Sequence, residues 1–256
     1  MSSQTRRSAP RMSRRAFLRL CAGGTALGAG GLGYGFLVEP NQLAITTRDI
    51  HLNLLPPELD GLRVGVIGDL HFRPGHDDRL LKRLVAEVKS RELDLLLVVG
   101  DYVEGHDPTV LDPMMTILKD VQAKHGFYAV MGNHDGWAAS VADVRHKFEE
   151  NGLGFLVNQN TQIEINGVKL AIAGTDRVWG GQPDLARTFR GLRNDIPVLA
   201  LVHEPDFFDQ VIRERTGILQ VSGHTHGGQC RVPFAGYAPA KVRYGKKYIY
   251  GTFEKE

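Results

Sequence analysis

Five short apolar runs, each ending in a polar cluster, constrain this chain more than any other feature. Arg63-Val64-Gly65-Val66-Ile67 leads into Gly68-Asp69-Leu70-His71, and Asp94-Leu95-Leu96-Leu97-Val98-Val99 into Gly100-Asp101. Phe127-Tyr128-Ala129-Val130-Met131 leads into Gly132-Asn133-His134-Asp135, Val198-Leu199-Ala200-Leu201-Val202 into His203, and Ile218-Leu219-Gln220-Val221-Ser222 into Gly223-His224-Thr225-His226. Near-continuous apolar runs of this length predict strands buried on both faces. Each cluster then sits at the C-terminal end of its strand, the edge where open α/β sheets bind ligands.

The intervening segments read as helices. Residues 78–90 place Leu80, Leu81, Leu84, Val85 and Val88 on one stripe. Residues 108–124 carry Val110, Met114, Ile117, Leu118 and Val121, with Asp107 as a cap. A third helix runs from Ser140 to Asn151 and stops at Gly152. Thr161–Ile165 alternates polar and apolar residues before Asn166-Gly167 and the run Val168–Ala173, a hairpin signal. The expected fold is α/β: two mixed β-sheets packed face to face as a sandwich, with helices outside.

The clusters define a chemistry. Carboxylate, imidazole and amide groups suit divalent Mn, Zn, Fe or Co. A carboxylate can bridge two such ions, and a pair of ions can generate hydroxide and clamp the oxygens of a phosphate ester. Each cluster alone is unremarkable: Asp-x-His occurs in surface loops, and Asn with Gly favours turns. Their ordered recurrence at strand ends points to a dinuclear centre acting on a phosphoester.

The ordered set Asp-x-His, Gly-Asp, Gly-Asn-His-Asp, His and Gly-His-x-His over residues 63–230 resembles the calcineurin-like metallophosphoesterase superfamily. The resemblance implies that Asp69, His71 and His226 bind one metal, that Asp101 bridges, and that Asn133, His203 and His224 bind the second. It implies that His134 stabilises the transition state or protonates the leaving oxygen, with Asp135 orienting it. The run Gly223-His224-Thr225-His226-Gly227-Gly228-Gln229 is similar to an exported bacterial phosphodiesterase-like branch that includes relatives of a UDP-diacylglucosamine pyrophosphatase. Protein Ser/Thr phosphatases of the superfamily carry an arginine where Gly105 stands here, which argues against that activity. Members usually continue for some tens of residues beyond the equivalent of Gly251-Thr252-Phe253, so a shortened C-terminus is expected. The function expected is hydrolysis of a phosphodiester or pyrophosphate in the cell envelope by hydroxide held at the metals. The alternatives are a phosphomonoesterase on the same scaffold and a catalytically weak metal- or phosphate-binding envelope protein.

The N-terminus carries a second signal. Ser13-Arg14-Arg15-Ala16-Phe17-Leu18-Arg19 resembles the twin-arginine export motif, and residues 20–38 follow without a charge. Residues 1–40 are therefore expected to be a twin-arginine targeting segment or membrane anchor, and 41–256 the metallophosphoesterase domain. The expected partners are the export machinery, a membrane at the N-terminus, and a lipid or sugar-phosphate substrate. The expected location is periplasmic or otherwise outside the cytoplasm. With 31 basic against 29 acidic residues, and six arginines before the first acidic residue, Glu39, the remainder offers no basic footprint for nucleic acid. The two cysteines, Cys21 and Cys230, flank the targeting boundary, so no structural disulfide is expected. Near the clusters, Phe72, Arg73, Tyr102 and Trp137 are candidates to shape a cleft, as are His76 and His106. Arg177 and Trp179, on a Gly-rich loop, suit either a sugar, nucleotide or lipid headgroup, or packing of the loop itself.

Overall fold

The structure, a computed structural model, describes residues 12–52, 55–229 and 242–255. The chain forms two compact units, divided between Thr46 and Thr47. In the first, helix α1 (Arg14–Gly33) starts where the Ser13 hydroxyl accepts the Ala16 amide at 3.2 Å. A π turn, Tyr34–Val38, and a 3-10 turn, Glu39–Asn41, follow. Glycines dilute the apolar content of α1 and arginines occupy its first turns. Among the described residues no helix is long and apolar enough to cross a membrane. Cys21 is a free, exposed thiol, and Cys230 lies outside the described residues.

In the second unit the apolar runs pair as strands. The first half alternates β1 (Val64–Ile67), α2 (Asp78–Ser90), β2 (Leu95–Val98), α3 (Leu111–Leu118) and β3 (Phe127–Ala129). Helices α4 (Asn133–Ala138) and α5 (Val141–Glu150) then lead to β4 (Gly154–Phe155). The strand order is β1-β2-β3-β4 and every pairing is parallel. A mixed sheet was expected here. The helical crossovers explain the difference, because returning over one face brings each strand in along the same direction.

The second sheet, by contrast, is mixed. Strands β5 (Gln159–Ile165) and β6 (Val168–Gly174) form the antiparallel hairpin, and Asn166 and Gly167 both take positive φ at its turn. After α6 (Leu185–Thr188), β7 (Val198–Leu201) pairs parallel with β6. Helix α7 (Phe208–Glu214) leads to β8 (Ile218–Val221), parallel to β7.

Period-2 alternation in runs that are apolar on both faces builds three packed layers of side chains. Leu95, Leu97 and Val99 meet Leu170, Ile172, Leu199 and Leu201 between the sheets. On the outer face of the first sheet, Leu96 and Val98 meet Leu81, Val85, Met114 and Phe148 from the helices. Ala171, Ala173, Val198 and Ala200 pack with Phe207 and Val211 on the outer face of the second. The result is a helix–sheet–sheet–helix sandwich.

Helix boundaries depart from the sequence reading in one place. The helix expected over 108–124 is a 3-10 turn, Pro108–Val110, followed by α3, which stops at Leu118. Two backbone bonds divert the chain: the Lys124 amide donates to Leu93 at 3.0 Å, and His125 to Asp94 at 2.7 Å. Val121 stays buried without being helical. At the C-terminus, the Asp206 carboxylate accepts the amides of Lys246, Lys247 and Tyr248 at 2.8–3.1 Å, which anchors residues 242–255 beside α7.

The two sheets approach closely at the end of β6. A Cβ built on Gly174 would lie 2.6 Å from both Leu156 Cβ and Val130 Cγ1, on the opposite sheet. Gly174→Ala is therefore expected to destabilise the second unit by about 1–3 kcal/mol through overpacking. Urea denaturation of the metal-free protein measures this.

Candidate metal centre

All five clusters lie where the sheets' C-terminal edges meet. Asp69 and His71 follow β1, Asp101 follows β2, and Asn133 opens α4 after β3. His203 follows β7, and His224 and His226 follow β8. The backbone there is unusual. Asp69, His71, Asp101, His224 and His226 have φ of 52°, 43°, 53°, 71° and 49°. Non-glycine residues rarely adopt this left-handed region, and its cost of about 1–3 kcal/mol per residue persists where surrounding structure enforces it. Here the strands end abruptly and the chain folds back so that successive side chains point into one space. Gly132 makes room beneath them: a Cβ on it would fall 2.2 Å from the Asp101 carboxylate.

The side chains converge in three overlapping groups, one of them His71, Asp101 and His134. Asp69, His71 and His226 bring one ligand atom each within 4.8 Å of one another, as do Asp101, His203 and His224. His71 Nε2 faces His226 Nε2 at 2.9 Å. Asp101 is buried and belongs to two of the groups, with Oδ2 at 3.2 Å from His203 Nε2 and 3.6 Å from His71 Nε2. Asn133 Oδ1 lies 3.2 Å from His203 Nε2. The Asp69 carboxylate accepts the His224 amide at 2.7 Å, so it ties β1 to the loop after β8.

Four of these imidazoles, those of His71, His203, His224 and His226, are oriented through the ring nitrogen that faces away. His71 Nδ1 donates to Glu104 at 2.7 Å, and His203 Nδ1 to the Val99 carbonyl at 2.7 Å. His224 Nε2 donates to the Arg243 carbonyl at 2.6 Å, and His226 Nδ1 meets Gln229 Oε1 at 3.2 Å. The other nitrogen of each ring is left to face the cluster. Fixing the tautomer and ring plane in this way is what hydrogen-bond partners behind metal-ligating histidines do. The donor set of imidazoles and carboxylates fits two adjacent divalent ions.

Two expectations change. Asp135 does not orient His134. Its carboxylate is buried and accepts the amides of Asp101, Tyr102, Gly132 and Val103, at 2.7–3.3 Å. It holds the two loops together, and its oxygens have no capacity left for the imidazole. The carboxylate facing His134 is that of Glu104, 3.5 Å from Nδ1 and in contact with His71 as well. Glu104, three residues after Asp101, was not among the residues singled out by the sequence; the fold sets it beside two histidines. Phe72 and Tyr102 are buried and line no cleft. Tyr102 donates instead to the Val130 carbonyl. Arg73 and His76 are engaged with Asp77.

Burial and proximity set the charges. For Asp101, burial favours the neutral acid, but the His203 imidazolium beside it overrides that and holds its pKa down at about 2. The same pair acts on His203: burial works against the cation, yet Asp101 pushes it up to about 10. For His134 burial prevails and lowers its affinity for a proton. Burial and the charge of Asp101 push Asp135 up to about 7, against the amides that favour its ionised form.

Comparison with known proteins agrees with this geometry. Residues 62–228 match the calcineurin-like phosphoesterase family. The chain is 32% identical to the Bacillus subtilis metallophosphoesterase YkuE over 95% of its own length and 87% of the relative's. It is 27% identical to the Escherichia coli phosphodiesterase YaeI, over 94% and 91% of the two chains. The UDP-2,3-diacylglucosamine pyrophosphatase LpxG of Chlamydia muridarum is 24% identical, over 78% and 74%.

Because four backbone amides depend on Asp135, Asp135→Ala is expected to destabilise the metal-free protein by about 3 kcal/mol, through buried donors left unpaired. A thermal melt without metal tests it. An orienting role toward His134 would leave that melt unchanged.

Proposed function

Because the chain belongs to the calcineurin-like phosphoesterase family, a metal-dependent hydrolase of phosphate esters, we propose that it cleaves a phosphodiester or pyrophosphate of the cell envelope. The observation that carries the metal-ligand assignment is Asp101, whose one buried carboxylate faces both His71 and His203. In this reading Asp69, His71 and His226 hold one ion, Asn133, His203 and His224 the other, and Asp101 both. Bound there, the ions supply Lewis-acid stabilisation of phosphoryl charge and a water acidic enough to ionise near neutral pH.

The protein's own residues do the rest. The backbone amide of His134 donates to Asp101 at 2.8 Å, which fixes the bridging carboxylate and sets the His134 ring beside it. Glu104, 3.5 Å from His134 Nδ1 without a hydrogen bond to it, supports a proton on the ring through its charge. His134 can then deliver a proton to the departing oxygen.

Support for a diester or pyrophosphate comes from the activities named for YaeI and LpxG, while glycine at position 105 argues against a protein phosphatase. Support for export by the twin-arginine route comes from Arg14-Arg15 in their motif at the start of the exposed helix α1. An envelope substrate follows from that destination.

The deciding experiment is hydrolysis of bis-p-nitrophenyl phosphate by metal-stripped protein with manganese restored, beside p-nitrophenyl phosphate. Turnover is expected to require manganese, to favour the diester, and to fall by about a hundredfold or more in Asp101→Ala. Turnover unaffected by that substitution would overturn the assignment. His203, protonated up to a pH of about 10 without metal, must give up its proton to bind an ion. Metal uptake is therefore expected to release about one proton from this group at pH 7, and affinity to rise with pH. Calorimetry in buffers of different ionisation enthalpy counts the protons.

A further inference from the structure

The chain has two tryptophans, far apart in sequence, and both rim the candidate metal centre. Trp137 stands on α4, one turn after Asn133, with its ring 4.4 Å from that of His134. Trp179 stands on the loop after β6, with its ring 6.1 Å from that of His224. The indoles meet each other at 5.4 Å and 87°, forming a corner with one wall from each sheet's crossover. Trp137 remains 38% exposed, so part of its ring is open to solvent beside His134.

This corner is rigidly built. Glu204, fully buried next to His203, accepts the amides of Val178 and Trp179 at 2.8 and 2.7 Å. The Arg177 guanidinium packs over Gly136, where any Cβ would lie 2.2 Å from its Cζ. It also binds Asp176 and the Gly180 carbonyl. Of the two alternatives for this loop, Arg177 therefore serves packing, and its effect is to present Trp179. Orienting an indole face toward a reactive centre gives a surface that stacks on rings. Two faces at right angles favour a compact ring over an extended chain, which would need a groove.

Resting on the phosphoesterase reading above, we infer that Trp137 and Trp179 are specificity-determining residues that receive a ring, either a base or a sugar, carried by the phosphoester on the His134 side of the metals. The ring packs in the corner between Trp137 and Trp179, and this contact positions the ester oxygen near His134.

Because both of the chain's tryptophans lie in this corner, their fluorescence, excited beyond the tyrosine band, reports on the corner alone. The manganese-loaded full chain would be titrated with uridine monophosphate, glucose 1-phosphate, glycerol 3-phosphate and inorganic phosphate. At least one ring-bearing ester is expected to quench the emission and to bind about tenfold tighter than glycerol 3-phosphate. Preference for the uridine ester identifies a base, and preference for the glucose ester a sugar. The advantage over glycerol 3-phosphate is expected to vanish in Trp137→Leu and to survive in Trp137→Phe. Equal binding of all three esters by the native chain, or a preference that persists in Trp137→Leu, would overturn the inference. Equal binding by a chain that still hydrolyses bis-p-nitrophenyl phosphate overturns this inference alone. Absence of manganese-dependent hydrolysis overturns the reading beneath it, and this one with it.

Discussion

The contact between His203 and Asp101 ties the molecule together. His203 belongs to the second sheet and Asp101 to the first, and both are buried. One ring nitrogen of His203 holds the Val99 carbonyl at the end of β2, while the other faces the Asp101 carboxylate. A buried pair of opposite charges is costly to desolvate and gains its return only with good geometry. Here the geometry is enforced by the same strand ends that close the sandwich. The layer between the sheets and the ligand cluster are consequently one construction: separating the sheets would disperse the cluster.

The strained backbone follows from that construction. Five of the candidate ligands sit in left-handed conformations, and the bonds that tie their loops together hold that strain. Asp135 gathers four amides, Asp69 takes the amide of His224, and the Arg243 carbonyl fixes the His224 ring. The last of these comes from the C-terminal segment, which Asp206 anchors in turn. Pre-organisation of this kind means that ions meet a cluster already shaped for them, so little rearrangement is charged against binding or chemistry.

Most of the fold was legible because its signals are local. A strand buried on both faces must be apolar throughout, and Leu95–Val98 and Val198–Leu201 are. The hairpin turn needs two positive φ values, which Asn166-Gly167 supplies. The helix end at Leu118 was not legible, because the stripe of apolar residues continues to Val121 while the return to β3 is decided by backbone bonds to Leu93 and Asp94. Likewise β4, at two residues, is too short to carry a period. The parallel order of the first sheet depends on crossovers that the strands themselves do not encode.

For the centre, the sequence by itself determined the inventory: which carboxylates and imidazoles stand at strand ends, and hence that divalent metal chemistry on a phosphoester was available. Residue type and position relative to a strand are enough for that, since ligand chemistry is a property of the side chain. Only the tertiary structure decided the partnerships. It gave Asp135 to the backbone and Glu104 to His71 and His134, and it brought together Trp137 and Trp179 from different sheets. Those assignments turn on distances of a few ångströms between segments that fold back at left-handed turns, and no one-dimensional pattern carries that information.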